Sequence, residues 1–243
     1  LLHGGPGSGS SPSTLRFFPP ERFLRIRFDQ RGCGQSLPHA GDPGTSLVAN
    51  TTAHLLSDIE TLRRFLGLDA WLLYGSSWGS TLAIAYAQAH PERVEGVLLA
   101  GVTMTRPAEI DWLYRGLGLL FPAEWERFRD PLSDRATAED IVAAYRDRLE
   151  HPDPSVHQAA ADAWHDWEAL SVSAGPDASP PPRWSDPRYR LARARICAHF
   201  FHHRAWLAAG QLLLGAPRLH GIPAILVQGR LDLAAPMRTA WEL

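Results

Sequence analysis

The stretch Trp71-Leu72-Leu73-Tyr74-Gly75-Ser76-Ser77-Trp78-Gly79, followed by the Ala-rich run to Ala89, decides the fold. A short apolar run bounded by glycine reads as a buried strand, and Ser80 to Ala89 reads as an apolar helix. Between them the G-x-S-x-G pattern puts Ser77 at the centre of a tight strand-to-helix turn. Such a turn brings the backbone against its neighbours, so Gly75 and Gly79 are positions where a Cβ would clash. It lifts the Ser77 hydroxyl above the sheet and turns the Trp78 N–H towards the place where an oxyanion would form. Ser76 and Ser80 lie off the centre of the pattern and read as spectators. A Gly/Ser turn without chemistry is the bland alternative, and the strand-turn-helix context argues against it.

Working outward, short β-branched or Leu-rich runs alternate with helical patterns, which is the signature of βαβ units and a mainly parallel sheet. Strands are predicted at Leu24 to Phe28, Ala70 to Tyr74, Val94 to Ala100 and Ala224 to Val227. Thr52 to Leu66 has helical spacing, with Leu55, Leu56, Ile59, Leu62, Phe65 and Leu66 on one broad face. From Thr105 to Pro217 the pattern changes to amphipathic helices rich in Trp, Arg and Ala. These include Ala138 to Leu149 and His157 to Leu170, with a Gly/Pro/Ser-rich loop at Ser173 to Pro187. The expected organisation is a core in two parts, 1–104 and 218–243, carrying a helical insertion at 105–217.

Two further motifs bear on chemistry. His3-Gly4-Gly5-Pro6-Gly7 follows an apolar strand end, and its glycines let backbone N–H groups approach a ligand. Gly5, with Gly4 as the alternative, is the second candidate oxyanion donor beside Trp78. A hydroxyl needs a base, and the base needs an acid to orient its ring. In the α/β-hydrolase arrangement the order along the chain is nucleophile, acid, histidine. Asp232 follows the strand at Ala224 to Val227, where the acid belongs. Asp29 precedes the nucleophile, in Asp29-Gln30-Arg31-Gly32-Cys33-Gly34, and is assigned to ordering that loop. No histidine follows Asp232; the last of the 11 is His220. The catalytic histidine is therefore expected outside these residues, and the chain, which opens on Leu1 and stops at Trp241-Glu242-Leu243, is expected to be cut at both ends and inactive as it stands.

Composition excludes other classes. The 243 residues are 45% apolar with a net charge of −2 and acidic and basic residues interspersed, so nothing recommends nucleic acid or an anionic membrane as partner. No apolar run is long enough to span a bilayer. Cys33 and Cys197 are far apart, without metal-ligand or disulfide-scaffold spacing, which fits a reducing cytoplasm. His199, His202 and His203 read as packing residues, because no carboxylate or cysteine completes a metal site with them. No metal and no cofactor are expected; oligomeric state is not readable.

With His3 to Gly7, Asp29-Gln-Arg-Gly-Cys-Gly-Gln-Ser36, Asn50-Thr-Thr52 and Gly75 to Ser80 in hand, the sequence resembles the proline iminopeptidases. Ala87-Gln-Ala-His-Pro-Glu-Arg93, Trp164-His-Asp-Trp-Glu168 and Val227-Gln-Gly-Arg-Leu-Asp232 extend the resemblance along nearly the whole chain. It implies an α/β-hydrolase core with a mainly parallel sheet and an inserted helical cap, a Ser-Asp-His triad with Ser77 and Asp232, and no cofactor. It also implies release of an N-terminal proline from a small peptide or amide, with Glu168 as partner of the substrate amine. Three positions depart from the family pattern. Cys197 stands where a second Glu is usual, Ala100 replaces an Arg, and Thr103 replaces a pocket Phe. All three touch the presumed pocket, so two other readings are kept: a hydrolase of another ester, lactone or amide, and a catalytically silent ligand receptor.

Overall fold

The computed structural model describes residues 1–132, 137–172 and 181–243. Most of the predicted 173–187 loop lies outside the described residues. Helix α1 (Thr52–Phe65) starts where the Thr51 side chain accepts the His54 N–H, and it buries Leu55 and Ile59. Its face is narrower than its spacing suggests: Phe65 is 84% exposed and Leu66 also faces solvent. Strand β1 (Trp71–Ser77) runs into helix α2 (Trp78–Ala89), which is buried on all sides and ends before His90-Pro91. Strand β2 (Val94–Val102) returns parallel to β1.

A helical stretch follows, with α3 (Pro107–Tyr114), α4 (Pro122–Arg129), α5 (Ala138–Leu149), α6 (Pro154–Val172), α7 (Pro187–His202) and the single turn α8 (Gln211–Leu214). Strand β3 (Ala224–Val227) then pairs parallel with β2, and α9 (Met237–Glu242) comes last. The strand order is β1-β2-β3, so β2 separates the elbow strand from the strand that leads to Asp232. Leu2 forms an isolated parallel bridge to Gly75 on the other side of β1.

The strand predicted at Leu24 to Phe28 does not form. The segment beside it is Leu1-Leu2, which bonds to β1 through Leu2 N–H to Tyr74 and Ser76 N–H to Leu2. Leu24 to Phe28 gains one bond from it, the Leu1 ammonium to the Ile26 carbonyl, and a strand needs a ladder.

Two apolar cores result. One gathers Leu55, Ile59, Leu73, Leu82, Leu99 and Val102 under the sheet. The other gathers Tyr114, Phe128, Tyr145, Trp164 and Trp167 among the helices, where the Phe128 and Tyr145 rings stack at 4.5 Å. Helix α7 belongs to both. Ala192, Ile196 and Phe200, spaced by four, pack into the first core, while Ala194, Cys197, Ala198 and Phe201 pack into the second. No helix among the described residues is long and apolar enough to cross a membrane.

Candidate active site

Ser77 ends β1 with φ +53° and ψ −124°, a conformation that L-residues avoid unless the surroundings enforce it. The enforcement is steric. A Cβ on Gly75 would collide with the Gly79 carbonyl, and one on Gly79 would collide with the Leu2 carbonyl. The turn therefore needs both glycines, and it is packed against the Leu2 segment that carries the His3 to Gly7 loop.

That loop lies directly over the serine. A Cβ on Gly4 would sit 3.1 Å from the Ser76 carbonyl oxygen and 3.3 Å from the Ser77 Cβ. Gly5 follows at φ +113°, open to glycine alone. Trp78 begins α2, so its N–H has no acceptor within the helix. Ser77, Gly5 and Trp78 all line one cavity of about 440 Å³.

Two side chains that the sequence reading passed over hold this geometry. The Gln30 amide donates to the His3 carbonyl at 3.1 Å and accepts the buried Trp78 indole N–H at 2.9 Å, tying the glycine loop to the elbow. Its backbone N–H also donates to His3 Nε2 at 3.0 Å. Ser80, read as a spectator, is fully buried; its hydroxyl donates to the Ser77 carbonyl at 2.6 Å and accepts the Thr103 N–H at 3.0 Å. It pins the end of β2 to the elbow. Gln30 could have been suspected from its place in the Asp29 to Gly34 run, but Ser80 carries no signal of its own.

Asp29 orders its loop: its carboxylate accepts the Ser10 N–H at 2.6 Å and the Gln35 N–H at 2.9 Å. Burial pushes its pKa up, but these N–H groups prevail and hold it below the usual carboxylate value. Asp232 sits past β3 with one oxygen accepting the N–H groups of Ala234 and Ala235 at 3.1 and 2.9 Å. Its other oxygen and the Ser77 backbone flank Gly101 on β2: a Cβ there would meet Asp232 Oδ2 at 3.3 Å and Ser77 N at 4.0 Å. Nucleophile and acid candidates thus meet across one glycine with φ +56°.

His3 is the histidine that lines the cavity, and it cannot serve as a base. Its Nδ1–H donates to the Gly4 carbonyl, Nε2 accepts from Gln30, and burial lowers its pKa to about 4. His199 bonds the Asn50 carbonyl, and among the described residues no group of His, Cys, Asp and Glu stands together to hold a metal.

The far wall comes from the helices. Glu168 on α6 enters the cavity with both oxygens engaged. Oε1 accepts the Tyr114 hydroxyl at 2.5 Å and the Trp164 indole at 2.9 Å, and Oε2 accepts from the Arg193 guanidinium. Cys197 points its thiol at the Pro6 carbonyl, 3.0 Å away, and Thr103 donates to Glu109 at 2.9 Å. Ala100 lies within β2 opposite Ser76 and Val227.

A strained serine between a parallel strand and a helix, with glycine-borne N–H groups over it and an acid two strands away, defines an α/β hydrolase. The sequence profile of the family described as alpha/beta hydrolase fold matches residues 1–243. Over its whole length the chain is 43% identical to the probable proline iminopeptidase of Streptomyces coelicolor, of which it covers 76%. It is 42% identical to the proline iminopeptidase of Arabidopsis thaliana, of which it spans 63%. The chain belongs to the proline iminopeptidase family of α/β hydrolases. The crystal structure of the Mycobacterium smegmatis proline iminopeptidase shares the fold, with a TM-score of 0.63 at 20% identity over 99% of this chain and 75% of that one.

Proposed function

We propose that this chain carries the nucleophile, oxyanion donors and acid of a serine aminopeptidase that releases N-terminal proline from short peptides. The observation that supports it most is the Gly4-Gly5 backbone resting on the strained Ser77 turn. In this reading the Ser77 hydroxyl attacks the prolyl carbonyl and the Gly5 and Trp78 N–H groups receive the developing negative charge. Asp232 orients the imidazole that takes the serine proton and returns it to the leaving amine. That imidazole has to come from outside the 243 residues, because none follows Asp232 and both nitrogens of His3 are committed. No step calls for a metal or cofactor.

Residues 105–217 act in this reading as the cap, closing the cavity so that a small acyl group is held while a larger leaving group faces out. Glu168 is the carboxylate available to the substrate amine, shared with Arg193. A cytoplasmic setting belongs to the same proposal, supported by two buried cysteines that are free thiols. The test is release of free proline from a proline arylamide by the full-length protein. Loss of release in Ser77→Ala is the expected result; undiminished release in that variant would remove Ser77 from the mechanism. A second reading, a hydrolase of other small amides or esters, is favoured by one observation: the Glu168 carboxylate already pairs with the buried Arg193.

A further inference from the structure

Two short stretches of chain run outward from the Glu168–Arg193 pair, and each ends in an arginine. Along the first, Ser8 Oγ accepts from Arg193 Nε at 3.2 Å, and two residues on, Ser10 Oγ accepts from the Arg27 guanidinium at 3.2 Å. Along the second, the Arg193 guanidinium lies 5.5 Å from the centre of the Trp184 ring, and the residue before Trp184 is Arg183. Ser8, Gly9, Ser10, Arg27 and Arg183 line the cavity over Ser77 and also a groove of about 570 Å³ beside it. They therefore frame the opening from one into the other.

Neither arginine is committed to a carboxylate. Among the described residues, Arg27 bonds through its side chain to the Ser10 hydroxyl alone, and neither it nor Arg183 forms a salt bridge. Arg183 Nε is buried without a hydrogen-bond partner, while its guanidinium stands 5.4 Å from the centre of the Tyr189 ring, which steadies it. An oxygen acceptor arriving there would recover the cost of that unmade bond. The other charged groups of the groove are engaged. Arg188 is bonded to both oxygens of Asp42, Asp186 accepts the Arg188 N–H, and Asp29 accepts the Ser10 and Gln35 N–H groups. His39 Nδ1 accepts the Gly41 N–H.

The spacing fits a short substrate. Glu168 Oε1 accepts two bonds and Oε2 one, so Oε2 keeps a position for the substrate ammonium. Ser8 and Ser10 are two residues apart, at most about 7 Å of chain, and an extended dipeptide spans about the same length. With its ammonium at Glu168 and its carbonyl at Ser77, a dipeptide brings its carboxylate to the opening between Arg27 and Arg183. A longer peptide has a neutral amide at that place.

We propose that Arg183 and Arg27 are specificity-determining residues that bind the free carboxylate of a single leaving amino acid, which makes prolyl dipeptides the preferred substrates. The assignment rests on the proline reading of the site and adds to it the group recognised beyond the bond that is cut.

The test measures free proline released by the full-length protein from prolyl-glycine, from prolyl-glycinamide, which lacks the carboxylate, and from a proline arylamide. The dipeptide is expected to exceed the amide at least about tenfold in kcat/KM, with most of the difference in KM. The double variant Arg27→Gln/Arg183→Gln should reduce that ratio at least about fivefold, and Arg183→Gln should account for the larger share. A ratio below tenfold in the unaltered protein overturns the proposal, and this arm decides even where the variants fail to fold. A smaller reduction in a folded double variant overturns it as well. Where the arylamide still releases proline, either result counts against the arginines alone. Release of proline from none of the three overturns the proline reading together with this assignment.

Discussion

The elbow and the helical wall of the same cavity are built on different principles. At the elbow, backbone does the positioning: Ser77, Gly4, Gly5 and Gly101 approach so closely that the argument is about where a Cβ cannot be. On the helical wall, side-chain charge does the positioning, through Glu168, Arg193, Tyr114 and Trp164. The first arrangement is fixed by sterics, and a side chain at its glycines would have to displace a neighbour or adopt a strained φ. The second is a balance of desolvation against pairing, and a single change can retune it.

The largest expected effect breaks the chemistry and leaves the structure alone. Ser77→Ala should cost about a millionfold in turnover of a proline arylamide by the full-length protein, with an unchanged melting temperature. Glu168→Ala should do the opposite. Stranding the buried Arg193 charge should cost about 3–5 kcal/mol in urea denaturation, and replacing both partners by apolar residues should recover much of it. A loss under about 1 kcal/mol for the single variant would mean that the wall is not held by this pair.

Acid sharpens the contrast. His165 on α6 is buried against Trp184 and Tyr189, and neither ring nitrogen makes a full hydrogen bond beyond a weak approach to the Arg190 backbone. Burial, then the charges of Arg193 and Arg190, lower its pKa to about 2. It stays neutral when folded, while the unfolded chain takes up a proton below about 6.5, so stability falls as the pH drops through that value and keeps falling towards 2. Between pH 8 and 5 this one residue should account for about 2 kcal/mol. His165→Leu should flatten the pH dependence of the unfolding free energy, read by urea denaturation, by that amount. The corresponding loss from His3 stops near pH 4, where the folded residue itself gains a proton.

Smaller effects test the elbow's supports. Gln30→Ala unties the glycine loop from Trp78 and should lower stability by about 1 kcal/mol, with a decrease in turnover of about tenfold and little change in KM. An equal loss of turnover in a variant at an uninvolved site would deprive Gln30 of that role. Phe65→Ser, on the exposed end of α1, should change stability by less than about 0.5 kcal/mol.

The same contrast explains what the sequence reveals. Glycine patterns announce themselves, so the turn at Ser77, the loop at Gly4-Gly5 and the strands on either side of β2 can be read directly, as can the helices that begin at Thr52 and Ala138. Leu24 to Phe28 misleads because strand propensity says nothing about whether a partner offers free backbone groups. Arg193 escapes notice for a related reason. In a chain whose basic residues are all arginine, nothing marks the one that pairs with Glu168, and that partner lies 25 residues away on another helix. Ser80 is read wrongly because its role depends on Thr103, at the end of a different strand.

The close approach of Gly79 to the Leu2 carbonyl also sets the routes open to mutation. Any residue but glycine at position 79 must push away the segment that carries the glycine loop, so a change there disturbs oxyanion donors and nucleophile together. The helical wall meets that backbone through side chains, the Cys197 thiol on the Pro6 carbonyl and the Arg193 guanidinium on the Ser8 hydroxyl. A lineage descended from this protein can therefore try new acyl groups by changes at cavity-lining positions such as 103 and 193, while Cys197, expected in the pocket, is fully buried behind its wall.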